Sequence, residues 1–186
     1  MAKKQRVFIK QFWKDKQMVG AISASSKYLG EKMIKNIDFS KDKVIVELGP
    51  GTGVFTDLLI DKLADDAILF VFELNDLFFE KLAARINDKR VVLIHDTAEN
   101  IAKHLNEHGY EKADIVLSSL PLAMFTKELR DSVLIASKNN LKQEGTYIQF
   151  QYSLQARSTL KKLYKTIKIS WTPLNVPPAF VYACKN

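Results

Sequence analysis

The segment Glu47-Leu48-Gly49-Pro50-Gly51-Thr52-Gly53 decides the fold. It joins a short apolar run, Val44–Leu48, to a helical pattern, Gly53–Leu63, that keeps Leu58, Leu59 and Leu63 on one side. Glycines at such a junction let the backbone turn tightly and approach a ligand closely. Free N–H groups at the start of the helix can also hold a carboxylate. The spacing is G-x-G-x-G, and Val54 stands where the dinucleotide fingerprint G-x-G-x-x-G needs its last glycine. Two acids extend the signal. Glu73 closes the second predicted strand, where a carboxylate can accept from the two hydroxyls of a ribose. Asp96 closes the third, where it can accept from the exocyclic amine of an adenine. All three features fall at carboxyl ends of neighbouring strands, the end at which open α/β sheets bind ligands.

Outward from this loop, apolar runs alternate with helical patterns, the sign of a βαβ array and a parallel sheet. Strands are predicted at Val44–Leu48, Ile68–Glu73, Val91–His95, Asp114–Ser118 and Gly145–Tyr152, with helices at Asp76–Ile86, Glu99–Glu107, Thr126–Asn139 and Ser153–Leu163. Asn75 and Asp76 suit the capping of the first of these helices. The rhythm then changes. Lys165–Trp171 and Ala179–Cys184 are strand-like, and the Pro-containing link between them is too short for a helical crossover, so they should pair antiparallel. The expected fold is α/β, Rossmann-like: a seven-stranded sheet with an antiparallel C-terminal strand and helices on both faces. A further helix is expected within Gly20–Asn36, starting near Ser25 or Ser26.

The chain has 186 residues, 47% of them hydrophobic and 26% charged, enough for a sizeable core in a globular protein. One cysteine, Cys184, and three histidines, His95, His104 and His108, argue against a disulfide scaffold and a metal centre. His95 reads as a packed strand residue, and His104 and His108 as exposed. No apolar run approaches the ~20 residues of a bilayer span, and no signal-peptide core follows the basic N-terminus. Charge is segregated. Residues 1–16 hold six bases and one acid, and residues 157–186 hold six bases and no acid, whereas the net charge of the whole chain is only +7. An acidic body with two basic ends suits an anionic partner, either nucleic acid or a membrane surface. On a helix, Phe8, Ile9, Phe12, Trp13 and Val19 share one face, with Lys3, Arg6, Lys10 and Lys14 beside and opposite it. Residues 1–19 are expected to form a basic amphipathic helix, and residues 20–186 a single domain. Periodicity alone fits docking of that helix on its own domain as well as on a membrane, and the basic excess and the large aromatics favour the membrane interface.

With these residues in hand, the chain resembles the class I S-adenosylmethionine-dependent methyltransferases over nearly its whole length. The resemblance implies S-adenosyl-L-methionine as cofactor and no metal. It implies that Glu47–Gly53 is the cofactor loop, that Gly49 and Gly51 border the amino-acid part of the cofactor and that Glu73 holds the ribose. Leu74 packs on the adenine, Asp96 reads its amino group, and Ser25, Ser26, Thr97 and Ser118 also line the site. Two subfamilies are similar. The rRNA adenine N6-dimethyltransferases share the loop Glu-x-Gly-Pro-Gly-x-Gly, but carry Asn-Leu-Pro-Tyr or similar after the fourth strand, where Ser119-Leu120-Pro121-Leu122 stands here. Serine lacks the paired donor and acceptor of an amide, and leucine has no π face for a flipped base. The bacterial phospholipid N-methyltransferases are similar at more places. These are Gly20–Leu29, with Ala24 in place of the usual proline; Ser118–Leu122; Gln149–Tyr152; and Asn175–Tyr182.

That resemblance implies an enzyme that methylates the amine of an aminophospholipid headgroup, taking phosphatidylethanolamine towards phosphatidylcholine. It would be cytoplasmic and peripherally attached to the inner face of the membrane. The alternatives are methylation of an RNA adenine and a non-catalytic, membrane-docking cofactor module. Methyl transfer to an amine depends chiefly on positioning. Tyr28, Ser119 and Tyr152 are the candidate catalytic residues. Phe125 and Tyr147 are candidate aromatic walls for a methylated ammonium, and Arg157 a candidate phosphate clamp.

Overall fold

A computed structural model of the chain describes residues 28–173, 175 and 177–186. The amphipathic segment 1–19, Ser25 and Ser26 lie outside the described residues. The sheet has seven strands: β1 (Val44–Leu48), β2 (Ile68–Phe72), β3 (Val91–Ile94), β4 (Ala113–Ser118), β5 (Leu141–Gln151), β6 (Thr166–Thr172) and β7 (Ala179–Lys185). Their order across the sheet is β3-β2-β1-β4-β5-β7-β6. The first five are parallel to one another, and β7 runs antiparallel to both β5 and β6. β6 therefore points the same way as β5 and forms an edge of the sheet.

Every residue of β1 is buried, as expected of a central parallel strand covered on both faces. Side chains alternate between two cores. Val44, Val46 and Leu48 join one with Phe70, Phe72, Val116 and Tyr147. Ile45 joins the other with Leu69, Val71, Ile115, Leu117 and Ile148. The first core is covered by α4 (Ile101–Glu107), α5 (Lys127–Asn139) and α6 (Ala156–Leu163), which supply Leu105, Leu134 and Leu160 among others. The second is covered by α1, helical over 28–34, and α2 (Val54–Ile60), through Leu29, Met33, Phe55 and Leu59. α3 (Asp76–Arg85) lies beside α2. Its cap is the predicted one: Asn75 Oδ1 accepts from the N–H groups of Leu77 at 3.0 Å and Phe78 at 3.2 Å.

Two differences from the sequence reading have local causes. β5 begins at Leu141 rather than Gly145, because exposed Lys142, Gln143 and Glu144 hide the strand pattern and the register against β4 shifts between Ala113 and Ile115. A Cβ at Gly145 would lie 2.9 Å from the Asp114 carbonyl oxygen, so the irregular stretch needs glycine. His95 does not pack within the sheet. β3 stops at Ile94, and His95 stands exposed, its ring stacked on Phe79 at 4.5 Å with Nε2 3.2 Å from Asp76 Oδ1.

Candidate cofactor and substrate site

The glycine loop leaves the end of β1 in a conformation that other residues adopt rarely. Gly49, Gly51 and Gly53 have φ of +69°, +57° and +84°. The loop is held at several points. Gly49 N–H donates to the Phe72 carbonyl at 2.9 Å, and Gly53 N–H to that of Pro50 at 3.0 Å. Gly51 N–H donates to Glu73 Oε2 at 3.0 Å. From outside, the Arg85 guanidinium donates to the carbonyls of Thr52 and Gly53 at 3.2 and 3.3 Å and to Asp57 at 2.5 Å. A Cβ on Gly53 would stand 2.1 Å from Arg85 Nη2. Arg85 was not legible as part of the site, because it lies 28 residues or more from its partners with no local pattern to mark it.

Glu73 follows β2 and is buried. Its second oxygen accepts from the Asn75 N–H at 2.7 Å. Burial pushes its pKa up to about 7 against the pull of these two N–H groups. Glu47, fully buried on β1, accepts the Thr56 hydroxyl on Oε2 at 2.7 Å, and its Oε1 has no hydrogen-bond partner among the described residues. Burial pushes its pKa up to about 8. A buried carboxylate with an unused oxygen beside the tight glycine loop suits a ligand carrying an ammonium. The amino-acid part of S-adenosylmethionine carries such an ammonium, so the residues present fit that cofactor.

Asp96 lies just beyond β3, and the Glu73 N–H donates to the Ile94 carbonyl at 3.0 Å, so the two acids stand on neighbouring strand ends. Asp96 accepts from the Thr97 N–H at 2.7 Å and from Asn100 Nδ2, 3.0 Å from both oxygens. His104 Nε2 lies 2.9 Å from its Oδ2. Partial burial would raise its pKa, but the His104, Thr97 and Asn100 bonds outweigh this and hold it below the usual value. His104 is thus a partner of Asp96 rather than a solvated helix residue. The turn Ala98–Asn100 ahead of α4 brings it back over a spacing of eight residues, which no simple helical periodicity marks.

On the other side of the crevice, Ser118 ends β4 fully buried, its hydroxyl accepting the Leu120 N–H at 3.3 Å. The Ser119 N–H donates to the Leu48 carbonyl at 2.9 Å, and its buried hydroxyl oxygen has no partner among the described residues. Gln149 and Gln151, one pleat apart on β5, each donate Nε2–H to the Leu120 carbonyl at 3.1 Å and so fix the Ser118–Leu122 turn. Tyr28 is exposed at the start of the described part of α1. Tyr152 is exposed just past β5, edge-on to Phe150 at 5.7 Å, and partial burial raises the pKa of its hydroxyl. Leu74 and Thr97 are half-buried on the same rim, and Arg157 is exposed on the first turn of α6. Two expectations are corrected. Tyr147 is fully buried, stacked on Tyr164 at 5.6 Å, with its hydroxyl donated to Gln149 Oε1 at 2.7 Å. Phe125 belongs to the same core beside Leu122. Neither ring is an open wall, because the core-facing phase of β5 and the turn ahead of α5 carry them inward. Among the described residues no His, Cys, Asp or Glu cluster could hold a metal ion, and no helix is long and apolar enough to cross a membrane.

No family model matches the chain. An ornithine lipid N-methyltransferase from Singulisphaera acidiphila is 28% identical over 97% of this chain and 95% of its own length. The ribosomal RNA small subunit methyltransferase H of Psychrobacter sp. is 34% identical, but over only 50% of this chain and 27% of its own. Among solved structures, a Burkholderia thailandensis 1,6-didemethyltoxoflavin-N1-methyltransferase with bound S-adenosylhomocysteine superposes with a TM-score of 0.71. It shares 12% identity, over 98% of this chain and 88% of that one. The sheet order, the glycine loop with its two acids, and the end-to-end similarity to one lipid N-methyltransferase agree: the chain is an S-adenosylmethionine-dependent methyltransferase by similarity and has the fold of the class I enzymes.

Proposed function

We propose that the chain methylates the amine of an aminophospholipid or similar aminolipid headgroup at a membrane surface, with phosphatidylethanolamine as the first candidate acceptor. The observation that carries this reading is the end-to-end similarity to an ornithine lipid N-methyltransferase, whose name gives a lipid as the N-methylated acceptor. The turn after β4 supports it. Leu122 is fully buried, so that turn offers no aromatic platform for a flipped base, and Ser119 has no amide to pair with an adenine.

In this reading Glu73 accepts the ribose hydroxyls on the lone pairs left free by Gly51 and Asn75, and Leu74 packs against the base. Asp96, positioned by Asn100 and His104, accepts the adenine amine, with Thr97 beside it. Glu47 Oε1 faces the ammonium, and the Gly49–Gly53 turn borders the rest of the amino-acid part. Bound there, S-adenosylmethionine supplies an electrophilic methyl group. The protein's own contribution is alignment: a neutral amine must approach that methyl in line, and the chain holds it there. Tyr28 and Tyr152 present exposed rings that suit a methylated ammonium. The Ser119 hydroxyl is free to accept from the incoming amine, and Arg157 suits a headgroup phosphate.

The test is incubation of the purified chain with methyl-labelled cofactor and three acceptors in detergent micelles or buffer: phosphatidylethanolamine, an ornithine lipid and ribosomal RNA. Label in a lipid fraction is expected. Label in RNA with none in either lipid overturns the proposal.

A further inference from the structure

The exposed large apolar side chains of the described residues are not scattered. Of the eight among the described residues, Leu77, Met124, Tyr152, Leu154 and Trp171 lie at or just past a strand's carboxyl end, where the crevice opens, and Ile169 lies one pleat from Trp171 on β6; Tyr28 and Ile135 lie on helices. Scattered single residues would need no explanation, but a cluster at one end does. Part of it belongs to the site. Leu154, Ile169 and Trp171 do not, and they remain 45%, 37% and 56% exposed.

These three share one flank. On β6, Ile167, Ile169 and Trp171 face the same side as α6, while Thr166, Lys168 and Ser170 face the other. Trp171 is in register with Phe180 of β7, which is in register with Gln151 at the end of β5, so the indole stands at the level of the crevice mouth. Ile169 is in register with Tyr182, whose hydroxyl donates to the Ser153 carbonyl at 3.1 Å and ties Leu154's neighbour to the same flank. α6 buries Ala156 and Leu160 against the sheet and turns Arg157, Lys161 and Lys162 outward, followed by exposed Lys165. No acid occurs from residue 157 to the end of the chain. An indole stands at the mouth with branched apolar side chains beside it, bordered by bases of which, among the described residues, only Lys162 has a nearby acid, Asp131. Such a surface is complementary to an anionic bilayer, where apolar groups enter the acyl boundary and lysines meet headgroup phosphates.

We propose that the flank formed by α6 and the edge strand β6 is a membrane-docking surface that sets the crevice mouth against an anionic bilayer through Leu154, Ile169 and Trp171, with Lys161, Lys162 and Lys165 on the headgroups. This deepens the lipid reading above and rests on it. It is separate from the basic N-terminal segment, which lies outside the described residues.

The chain has two tryptophans, Trp13 and Trp171, so Trp13→Phe leaves Trp171 as the sole indole reporter. Added to vesicles containing phosphatidylglycerol, this variant should show emission shifted to shorter wavelength and quenched by brominated acyl chains, with no such change on neutral phosphatidylcholine vesicles. Trp171→Glu and the pair Lys161→Glu/Lys162→Glu should each reduce vesicle affinity at least tenfold while still binding S-adenosylhomocysteine, which reports an intact fold. Ile135→Glu, at an exposed apolar site on α5, should leave it unchanged. Vesicle binding without any change in Trp171 emission overturns the proposal, as does undiminished binding of both flank variants. Tight binding to RNA that Trp171→Glu and Lys161→Glu/Lys162→Glu abolish, with no binding to vesicles, also overturns it. The two proposals separate in micelles. Trp171→Glu should keep methyl transfer to detergent-dispersed lipid and lose it on vesicles. Absence of lipid methylation by the parent chain in micelles refutes the function alone.

Discussion

Glu47→Gln separates what the fold tolerates from what the cofactor requires. Glu47 is buried, one of its oxygens has no partner among the described residues, and its pKa stands at about 8 against an ordinary 4.5. A carboxyl whose pKa is raised on folding holds its proton more tightly in the folded state. Its contribution to stability is therefore full below pH 4.5 and is lost as pH rises from there to about 8. At about 1.4 kcal/mol per unit, the loss between pH 5 and pH 8 is of order 3 kcal/mol. Glu73, with a pKa of about 7, adds a fall of the same sign over a narrower window. Glutamine at position 47 does not titrate, so urea unfolding of the cofactor-free variant between pH 5 and pH 8 should show a markedly shallower decline than the parent, with the Glu73 part remaining. The slope is the decisive quantity. The absolute stability also carries the cost of a buried amide, about 1–3 kcal/mol for an unsatisfied group. The same residue predicts a proton count. A ligand ammonium beside Glu47 favours the carboxylate, so S-adenosylhomocysteine binding near pH 7.5 should release protons, seen as a calorimetric heat that varies with the buffer's ionisation enthalpy. Glu47→Gln should bind more weakly and lose most of that dependence. Parallel pH–stability curves for parent and variant would refute the reasoning.

Other expectations are briefer. Gly53→Ala places a Cβ at φ +84°, 2.1 Å from Arg85 Nη2 and 2.5 Å from Leu82 Cδ2. It should cost at least about 1–2 kcal/mol, read as a lower Tm together with weaker cofactor binding. His104→Ala removes a donor from Asp96 Oδ2, so carboxylate NMR should find the Asp96 pKa moved upward. An unchanged titration would mean that Thr97 and Asn100 suffice. Cys184 is buried and its pKa is pushed up to about 12. Alkylating reagents at pH 8 should leave it unmodified in the folded chain and label it in urea.

The alternation of apolar runs and helical patterns was enough to place every strand, because local burial on both faces leaves a continuous apolar signature in β1, β2 and β4. It misplaced the start of β5, where three polar residues at an irregular stretch interrupt that signature. Of the candidate site, the glycine loop, Glu47, Glu73 and Asp96 were legible in the sequence, since all four sit at or next to the carboxyl end of a strand, which chain-local pattern can mark. Tertiary structure alone decided the rest. Arg85 reaches the loop from α3, His104 reaches Asp96 across a helical turn, and Gln149 and Gln151 pin Leu120 from a neighbouring strand. It also decided that Tyr147 and Phe125 are core, because the phase of a strand or turn against its neighbours, rather than residue type, sets which way an aromatic ring points. The insertion of β7 between β5 and β6, which makes β6 an edge and leaves Trp171 exposed, follows from pairing between distant strands. Hydrogen bonds of that kind carry no mark in the local order of residues.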